Sequence, residues 1–278
     1  MKGNAPDGRA FQKGRRQMED RDFFGLIGEK LGHSWSPPIH EALGDYAYRL
    51  IELQPEEVGP FLRKKAFQGI NVTIPYKQTV IPYLDDLSAR AKAIGSVNTI
   101  VRRKDGSLAG YNTDFGGFEA MLRQAHLDPA GKKCLVLGSG GASKTVVACL
   151  RAGGASEIRV ISRSGEDNYD NLSRHRDARL LINATPVGMY PKTDASPVNL
   201  SLFPELEGVA DLIYNPEKTQ LLRQAEILGL RAVNGLYMLV EQARLASELF
   251  TGRQIAAEKT EEVMHLIQNR IKSETGEL

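Results

Sequence analysis

The sequence has no long apolar run: nowhere among its 278 residues do about 18 apolar residues follow one another. We therefore predict no membrane-spanning helix, and the N-terminus also lacks the apolar segment that a secretory signal requires. Internal repeats and low-complexity segments are absent as well. With 41% hydrophobic and 25% charged residues, the composition is that of a soluble globular protein. The length suits one large domain or, more naturally, two of ordinary size.

Cysteine is scarce, with only Cys134 and Cys149 in the chain. The first falls in a predicted buried strand and the second in a predicted helix, so we interpret both as reduced thiols of the core. This interpretation favours a cytoplasmic location. The spacing of the cysteines and histidines predicts no metal site.

Positive and negative charges nearly balance, since the formal net charge is only +2. Residues 1–17 contain five basic side chains and one acidic one, and without them residues 18–278 carry a net charge of −2. We interpret residues 1–17 as a disordered N-terminal extension. The rest of the chain has no basic excess, so a nucleic-acid partner is not predicted.

Short apolar strands alternate with helical patterns, which predicts an α/β fold with parallel sheet. Helices are predicted to begin at Ser36, Pro75 and Asp86, with Ser36 as a cap before a proline. A turn at residues 104–106 predicts a hairpin between the last two strands of the first half. The predicted strands of this half are 23–27, 48–51, 69–74, 97–101 and 108–111.

The second half begins with a predicted helix at 115–125 that links two domains. A buried strand at 133–137 runs into a glycine-rich turn and a helix at 144–152, which is the order of a dinucleotide-binding unit. The remaining predicted elements are strands at 158–161, 180–182 and 211–213 and C-terminal helices at 238–250 and 258–271. We expect the C-terminal helices to pack back on the first domain.

The glycine-rich turn is a candidate phosphate site. Adjacent glycines let backbone amides approach a pyrophosphate, and the following helix offers its positive N-terminal end. An ordinary tight turn has the same composition, but the flanking strand and helix favour the cofactor interpretation. The candidate residues are Gly138, Ser139, Gly140, Gly141 and Ala142.

The residues after the next strand indicate which cofactor binds. An acidic residue at that point would hold the ribose hydroxyl of NAD, whereas an arginine suits the 2′-phosphate of NADP. The sequence has Ser162, Arg163 and Ser164 there, which favours NADP. Glu166 and Asp167 lie close by and oppose this choice, so NAD remains possible.

Three polar segments of the first half, 33–37, 71–77 and 112–114, occur where a strand gives way to a turn or helix. Ligands of open α/β sheets bind at such places. Each segment alone is also explained by helix capping or by solvation. Together they offer an amine, a carboxylate and several hydroxyl and amide groups to one polyhydroxylated ligand.

The ordered series of motifs resembles the shikimate dehydrogenase family over nearly the whole chain, from about residue 24 to the C-terminal helices. The residues that carry the resemblance are the paired-serine segment 33–37, the strand-to-lysine segment 71–77, the asparagine segment 95–99, the aspartate segment 110–114, the phosphate loop 138–142, the loop 183–189 and the last signature 235–243.

The resemblance implies a role for each polar segment. Ser34 and Ser36 would hold a substrate carboxylate, with Tyr214 nearby. Lys77 would act as general base and acid on the hydroxyl that becomes a ketone, and Asp114 would orient Lys77 and bind the substrate. Contacts to ring hydroxyls are implied for Thr73, Asn98 and Gln242, and contacts to the cofactor for Thr185, Leu212 and Gly235.

One departure from the family concerns the sixteen residues between Arg163 and Leu180, which are noticeably fewer than in typical members. The segment has little apolar periodicity, so we predict that a helix and a strand of the cofactor domain are missing or reduced. His33, beside the serines, is interpreted as a structural residue at a helix entry rather than as a catalytic base.

The resulting hypothesis is an α/β protein of two domains with a central cleft. Residues 18–113 and 238–278 would form an α/β substrate-binding catalytic domain, and residues 114–237 a Rossmann-like NADP-binding domain. The expected reaction is the reversible reduction of 3-dehydroshikimate to shikimate in aromatic amino-acid biosynthesis. The alternatives are a quinate/shikimate dehydrogenase using NAD and a non-catalytic ligand sensor. We expect a monomer or homodimer without a membrane partner.

Overall fold

The structure is a computed structural model that describes residues 23–32 and 34–275. The predictions for residues 1–17 and for His33 lie outside the described residues. The strands are β1 (Phe24–Gly28), β2 (Tyr48–Glu52), β3 (Gly69–Val72), β4 (Asp86–Leu87), β5 (Thr99–Arg102), β6 (Leu108–Tyr111), β7 (Lys133–Leu137), β8 (Glu157–Ile161), β9 (Leu180–Asn183), β10 (Gly208–Asp211) and β11 (Arg231–Val233).

The α-helices and three short 3₁₀ helices connect these strands. The α-helices are α1 (Ser36–Leu43), α2 (Pro55–Lys64), α3 (Ala89–Ile94), α4 (Asp114–Gln124), α5 (Gly141–Ala152), α6 (Gln220–Ile227), α7 (Leu236–Thr251) and α8 (Glu258–Thr275). The 3₁₀ helices are Ile81–Tyr83, Leu172–His175 and Leu200–Leu202. No helix in this part of the chain is both long and apolar enough to cross a membrane.

The first sheet is mixed and has the strand order β2-β1-β3-β5-β6-β4. Strands β1, β2 and β3 are parallel, whereas β5 is antiparallel to β3 and forms the predicted hairpin with β6. Ile27, Ile70 and Ile100 are fully buried on one face against Leu62 of α2. The carboxyl end of β3 therefore lies in the middle of this sheet.

The second sheet is parallel throughout, with the order β11-β10-β9-β7-β8. Leu135 of β7 belongs to the core on one face, together with Leu221 of α6. Val136, the next residue of β7, belongs to the core on the other face, with Phe118 of α4 and Val146 of α5. Helices thus cover both faces, as in doubly wound nucleotide-binding folds.

Helices α4 and α7 pack against each other between the two sheets. Gly117 of α4 permits their close approach, because a Cβ atom there would lie 2.8 Å from the carbonyl oxygen of Met238 and 3.0 Å from Cβ of Gln242. Helix α7 also packs on α1 and α8, where Val240, Ile39 and Val263 share one core. The C-terminal helices therefore pack back on the first half of the chain, as predicted.

The start of α1 is predicted correctly, but the predicted role of Ser36 as its N-cap is wrong. Ser36 is the first helical residue, and the cap position is Trp35, which makes no side-chain capping hydrogen bond. The acceptor for the N–H of Ser36 lies outside the helix instead: this group donates to Oγ of Ser34 at 3.2 Å.

The predicted helix starts at Pro75 and Asp86 are wrong. Residues 74–80 form successive turns, because the carbonyl of Lys77 accepts a hydrogen bond from the N–H of Val97 at 2.8 Å rather than from a helical neighbour. Asp86 lies in β4, and α3 begins at Ala89 with the Ser88 side chain as its cap. The strand predicted at 211–213 lies three residues earlier, at β10.

The short connection after Arg163 is predicted correctly. Between β8 and β9 the chain forms only the 3₁₀ helix Leu172–His175. Within the described part of the chain, β8 is consequently an edge strand of the second sheet, bonded to β7 alone.

Candidate functional site

An ion pair joins the two residues predicted to act on the substrate. Nζ of Lys77 donates to Oδ2 of Asp114 at 2.7 Å, although the residues are 37 positions apart in sequence. Their side chains are 19% and 13% exposed, so the pair is shielded but reachable. Lys77 lies within the turns that follow β3, and Asp114 is the first residue of α4. A carboxylate in the first turn of a helix is stabilised by the helix dipole.

Asn98 fixes the approach to α4. Its Oδ1 accepts the N–H of Thr113 at 2.7 Å, and its Nδ2 donates to Oγ1 of Thr113 at 2.9 Å. The same Nδ2 lies 3.4 Å from Oε1 of Gln242. Asn98 and Gln242 are therefore brought together beside the residue that precedes Asp114. Thr73 lies at the end of β3, four residues before Lys77, and is half-buried.

A second layer of buried polar groups supports this cluster. Nδ2 of Asn71 donates to the carbonyl of Asn98 at 3.2 Å and to Oγ1 of Thr99 at 3.1 Å. Oδ1 of Asn71 accepts the hydroxyl of Tyr48 at 2.6 Å. The sequence analysis included Asn71 only as the first residue of the polar segment 71–77, and Tyr48 was missed. Their partners are distant in sequence, so no local pattern identifies these bonds.

The paired serines lie at the entry to α1. Ser34 and Ser36 are half-buried, and the hydroxyl of Ser36 lies near that of Tyr48. Burial raises the pKa of Tyr48 well above its ordinary value, and the neighbouring Ser36 hydroxyl opposes this shift. Ser36 therefore lies beside the tyrosine that bonds to Asn71.

Tyr214 and Trp35 pack against the same core of α1, α7 and α8, so Tyr214 lies on the side of the molecule that carries the serines. Burial raises the pKa of Tyr214, and its phenol is therefore neutral and able to donate a hydrogen bond. This arrangement is consistent with Tyr214 near the serine segment.

The glycine-rich turn follows β7. Gly138 has a φ of +99°, and its N–H donates to the carbonyl of Ile161 at 2.8 Å. A Cβ atom at Gly138 would lie 2.9 Å from Cγ2 of Thr185, whereas at Gly140 or Gly141 it would meet nothing within 4 Å.

Helix α5 begins at Gly141 and has 12 residues, so its first N–H groups lack acceptors within the helix. Ser139 is exposed beside them and Ala142 half-buried. An open glycine surface in front of a helix N-terminus fits a dinucleotide pyrophosphate.

Ser162 and Arg163 lie next to this turn, because they directly follow Ile161, which is bonded to Gly138. Arg163 is exposed, and no acidic side chain of residues 23–32 or 34–273 pairs with it. Of the two acids that opposed the NADP prediction, Glu166 is exposed and Asp167 lies 2.9 Å from Nε2 of His175. The guanidinium of Arg163 is therefore available to an anionic ligand.

The remaining predicted cofactor residues meet in two pairs at the carboxyl edge of the second sheet. Thr185 contacts Gly138, and its hydroxyl donates to Oδ1 of Asn183 at 2.7 Å. A Cβ atom at Gly235 would overlap the carbonyl oxygen of Leu212, so this glycine is required for the packing of α7 on β10.

Asp211 is a buried carboxyl group beneath this edge, and sequence reasoning missed it. Burial raises its pKa to about 6, while hydrogen bonds from Thr219, Ile213 and Asn183 oppose the shift. Its Oδ1 accepts a hydrogen bond from Nδ2 of Asn183 at 2.9 Å, which joins the carboxyl ends of β9 and β10.

Comparison with known proteins gives consistent matches. Residues 26–100 match the family model "Shikimate dehydrogenase substrate binding domain", and residues 235–265 match "Shikimate 5'-dehydrogenase C-terminal domain". The shikimate dehydrogenase (NADP(+)) of Clostridium beijerinckii is 38% identical over 271 residues, covering 90% of this chain and 100% of the relative.

Two solved structures have the same fold. The chorismate mutase/shikimate 5-dehydrogenase fusion protein from Clostridium acetobutylicum matches with a TM-score of 0.84 and 38% identity, over 91% of this chain and 99% of that chain. The shikimate 5-dehydrogenase from Thermus thermophilus, in complex with NADP(H) and shikimate, matches with a TM-score of 0.76 and 35% identity, over 87% of this chain and 98% of that chain.

Proposed function

Because the chain belongs to the shikimate dehydrogenase family, we propose that it catalyses the reversible NADPH-dependent reduction of 3-dehydroshikimate to shikimate. This reaction is a step of the shikimate pathway of aromatic amino-acid biosynthesis. The observation that carries the proposal is the contact of 2.7 Å between Lys77 and Asp114, remote in sequence and shielded from solvent. The relatives' names, which specify NADP(+), support the choice of cofactor.

Lys77 supplies and removes the proton. A bound nicotinamide cofactor would supply or accept the hydride at the ring carbon that carries the reacting oxygen. During reduction the ammonium group of Lys77 donates a proton to the carbonyl oxygen, and during oxidation the neutral amine accepts it. Asp114 holds Nζ of Lys77 in a fixed direction and accepts a hydrogen bond from the substrate hydroxyl.

The substrate is held at its carboxylate and at its ring hydroxyls. Ser34 and Ser36 donate hydroxyl hydrogen bonds to the carboxylate, and Tyr214 adds a third donor. The placement of both serines, half-buried at the entry to α1 and on the side of the molecule that carries Tyr214, supports this assignment. The ring hydroxyls are contacted by Thr73, Asn98 and Gln242.

The second sheet holds the cofactor. The amides of residues 138–142 would bind the pyrophosphate, and Arg163 with Ser162 would bind the 2′-phosphate. Thr185, Leu212 and Gly235 would contact the nicotinamide half of the cofactor. Residues 18–113 with 238–278 form the substrate domain and residues 114–237 the cofactor domain, with the cleft between them. The proposal includes a cytoplasmic location, supported by the two free buried thiols.

A kinetic panel tests the proposal. The purified protein is assayed with shikimate and with quinate, each with NADP and with NAD, by the absorbance of the reduced nicotinamide. We expect the highest kcat/KM with shikimate and NADP. A preference for quinate with NAD would favour the alternative dehydrogenase, and ligand binding in calorimetry without turnover would favour a sensor.

A further inference from the structure

The connection from β8 to β9 contains a buried ionisable pair that the proposed mechanism does not use. Nε2 of His175 lies 2.9 Å from Oδ1 of Asp167, and the two side chains are 6% and 15% exposed. The other carboxylate oxygen of Asp167 lies 3.5 Å from Nη1 of Arg159. Both oxygens of Asp167 thus face β8 and the 3₁₀ helix.

Asp167 closes the loop that carries Arg163. The N–H of Ser162 donates to the carbonyl of Asp167 at 3.1 Å, so the loop begins and ends at this contact. Its interior is tight, since a Cβ atom at Gly165 would lie 2.6 Å from Oγ of Ser162. The backbone contact between Ser162 and Asp167 therefore holds both ends of the loop together and keeps Asp167 close to the segment that carries Arg163.

His175 is anchored in the core of the second sheet. It ends the 3₁₀ helix that begins at Leu172, and its carbonyl accepts the N–H of Ala178 at 3.0 Å; Leu172 and Ala178 both belong to the core. Its Nδ1 is buried and, within the described residues, has no hydrogen-bond partner. Because Nδ1 has no partner among these residues, Nε2 is the ring nitrogen whose N–H donates to Asp167.

This bond has a consequence for the neighbouring anion site. Asp167 is four residues from Arg163 and is the acidic side chain that ends the same loop. A carboxylate released from His175 could pair with Arg163 or repel a phosphate bound there. With Asp167 held by His175 and Arg159, Arg163 keeps its guanidinium for the ligand.

Resting on the proposed function, we propose that His175 is a specificity-determining positioning residue, which holds the Asp167 carboxylate away from Arg163 and so preserves binding of the cofactor's 2′-phosphate. His175 does not touch the cofactor itself. Replacing His175 should therefore weaken the binding of ligands that carry a 2′-phosphate and leave the binding of ligands without one unchanged.

The test compares two variants of His175 by calorimetry with 2′,5′-ADP and with 5′-AMP, which lacks the 2′-phosphate. His175→Phe keeps a ring but removes the donor, and we expect it to weaken binding of 2′,5′-ADP by roughly five- to thirtyfold. Binding of 5′-AMP and the KM for shikimate should stay within about twofold of the wild type. His175→Gln, which retains an N–H donor, should preserve binding of 2′,5′-ADP.

Removing the charge separates positioning from general stability. In the double variant His175→Phe with Asp167→Asn, the carboxylate is gone, and most of the loss in 2′,5′-ADP binding should be recovered. Asp167→Asn alone should bind 2′,5′-ADP at least as tightly as the wild type. If His175→Phe does not fold, as judged by thermal unfolding, Asp167→Asn and His175→Gln carry the test.

The inference is overturned by equal losses for both nucleotides in His175→Phe, by no loss at all, or by a double variant as weak as His175→Phe. It is also overturned by weaker binding of 2′,5′-ADP to Asp167→Asn or His175→Gln. The proposed function fails separately: a wild type that binds 2′,5′-ADP in preference to 5′-AMP but does not oxidise shikimate contradicts the reaction and leaves the role of His175 standing.

Discussion

At the scale of single residues, the ion pair of Lys77 and Asp114 is unlike the surface pairs of this protein. Lys218 and Glu226, for example, are in contact at 2.9 Å with side chains 53% and 63% exposed. Such exposed pairs contribute little to stability. The pair of Lys77 and Asp114 is shielded and lies among amide and hydroxyl groups, which suits proton transfer to a bound ligand.

Lys77→Ala is expected to lower turnover by roughly two to four orders of magnitude, the usual contribution of a general acid–base group. The KM for shikimate should change much less, because the carboxylate and ring contacts remain. Steady-state kinetics in both directions measure the effect. Lys218→Ala, which also breaks a lysine–carboxylate pair, should leave kcat unchanged, and normal turnover in Lys77→Ala would exclude the assigned role.

The sequence singled out Lys77, Asp114, Asn98 and Gln242 because each falls in a motif with a recognisable order along the chain. The support beneath them was not predictable in the same way. The chain of bonds from Tyr48 through Asn71 to Thr99 joins three separate strands. Its existence depends on how those elements pack, and no local pattern encodes that.

At the scale of elements, α1 is fixed in place by a buried histidine. The ring of His40 stacks on Tyr48 at 4.0 Å, and its Nδ1 lies 2.7 Å from the hydroxyl of Tyr46. That hydroxyl in turn donates to Oγ of Ser247 at 2.7 Å, which joins α1 to α7. Burial lowers the pKa of His40 from 6.5 to about 3, and a hydrogen bond with Asn71 opposes the shift.

The stability of the protein should therefore fall in acid partly through His40. Below pH 6.5 the unfolded chain binds a proton at this residue that the folded chain excludes until about pH 3. The free energy of unfolding consequently decreases as the pH falls through this window, by about 2 kcal/mol between pH 7 and pH 5.

Urea unfolding of the wild type and of His40→Gln at several pH values checks this expectation. Between pH 7 and pH 5 the free energy of unfolding should decrease by about 2 kcal/mol less in the variant than in the wild type. The contribution of Asp211 to the pH dependence is the same in both proteins. His265→Gln, at an exposed position of α8, should keep the wild-type dependence. An unchanged slope in His40→Gln would show that His40 is not responsible.

Strands were predicted more accurately than helices. Strands β1 to β3 and β5 to β9 follow apolar runs with turn residues between them. Helix α2 was missed because it contains Gly59 and Pro60, which the sequence pattern assigns to turns. The structure stabilises it through Pro55 at its first position and a capping box between Gln54 and Glu57.

At the scale of the whole molecule, the contact of α4 with α7 relates the two sheets to each other. Gln242 belongs to this contact and to the cluster around Asn98. The spacing of the two helices therefore also determines the position of Gln242, a proposed substrate-binding residue. Both helices were predicted from the sequence, but their close approach was not. A glycine in a helix permits a close contact, but the sequence does not show which element makes it.

Gly117→Ala should be destabilising, because the added Cβ would meet the carbonyl oxygen of Met238 and the backbone of Gln242. We expect a loss of about 1–3 kcal/mol in the free energy of unfolding and a higher KM for shikimate as Gln242 shifts. Thermal unfolding and kinetics measure the two effects.

Gly116→Ala is the matched control, since its Cβ would meet only the end of the Leu245 side chain, which can move. The greater helix propensity of alanine should leave this variant as stable as the wild type or slightly more so. Equal destabilisation of both variants would contradict the proposed role of the close approach at Gly117.

The chain leaves the first sheet through α4 and re-enters the first half through α7, so its two crossings run side by side. Two connections that lie side by side resist twisting and sliding of the two halves against each other. They resist rotation about the line through both connections much less. We therefore expect one half of the molecule to rotate relative to the other about an axis through the two crossings when ligands enter and leave. Gln242 lies on α7, close to this axis, and its position would therefore change little during the rotation.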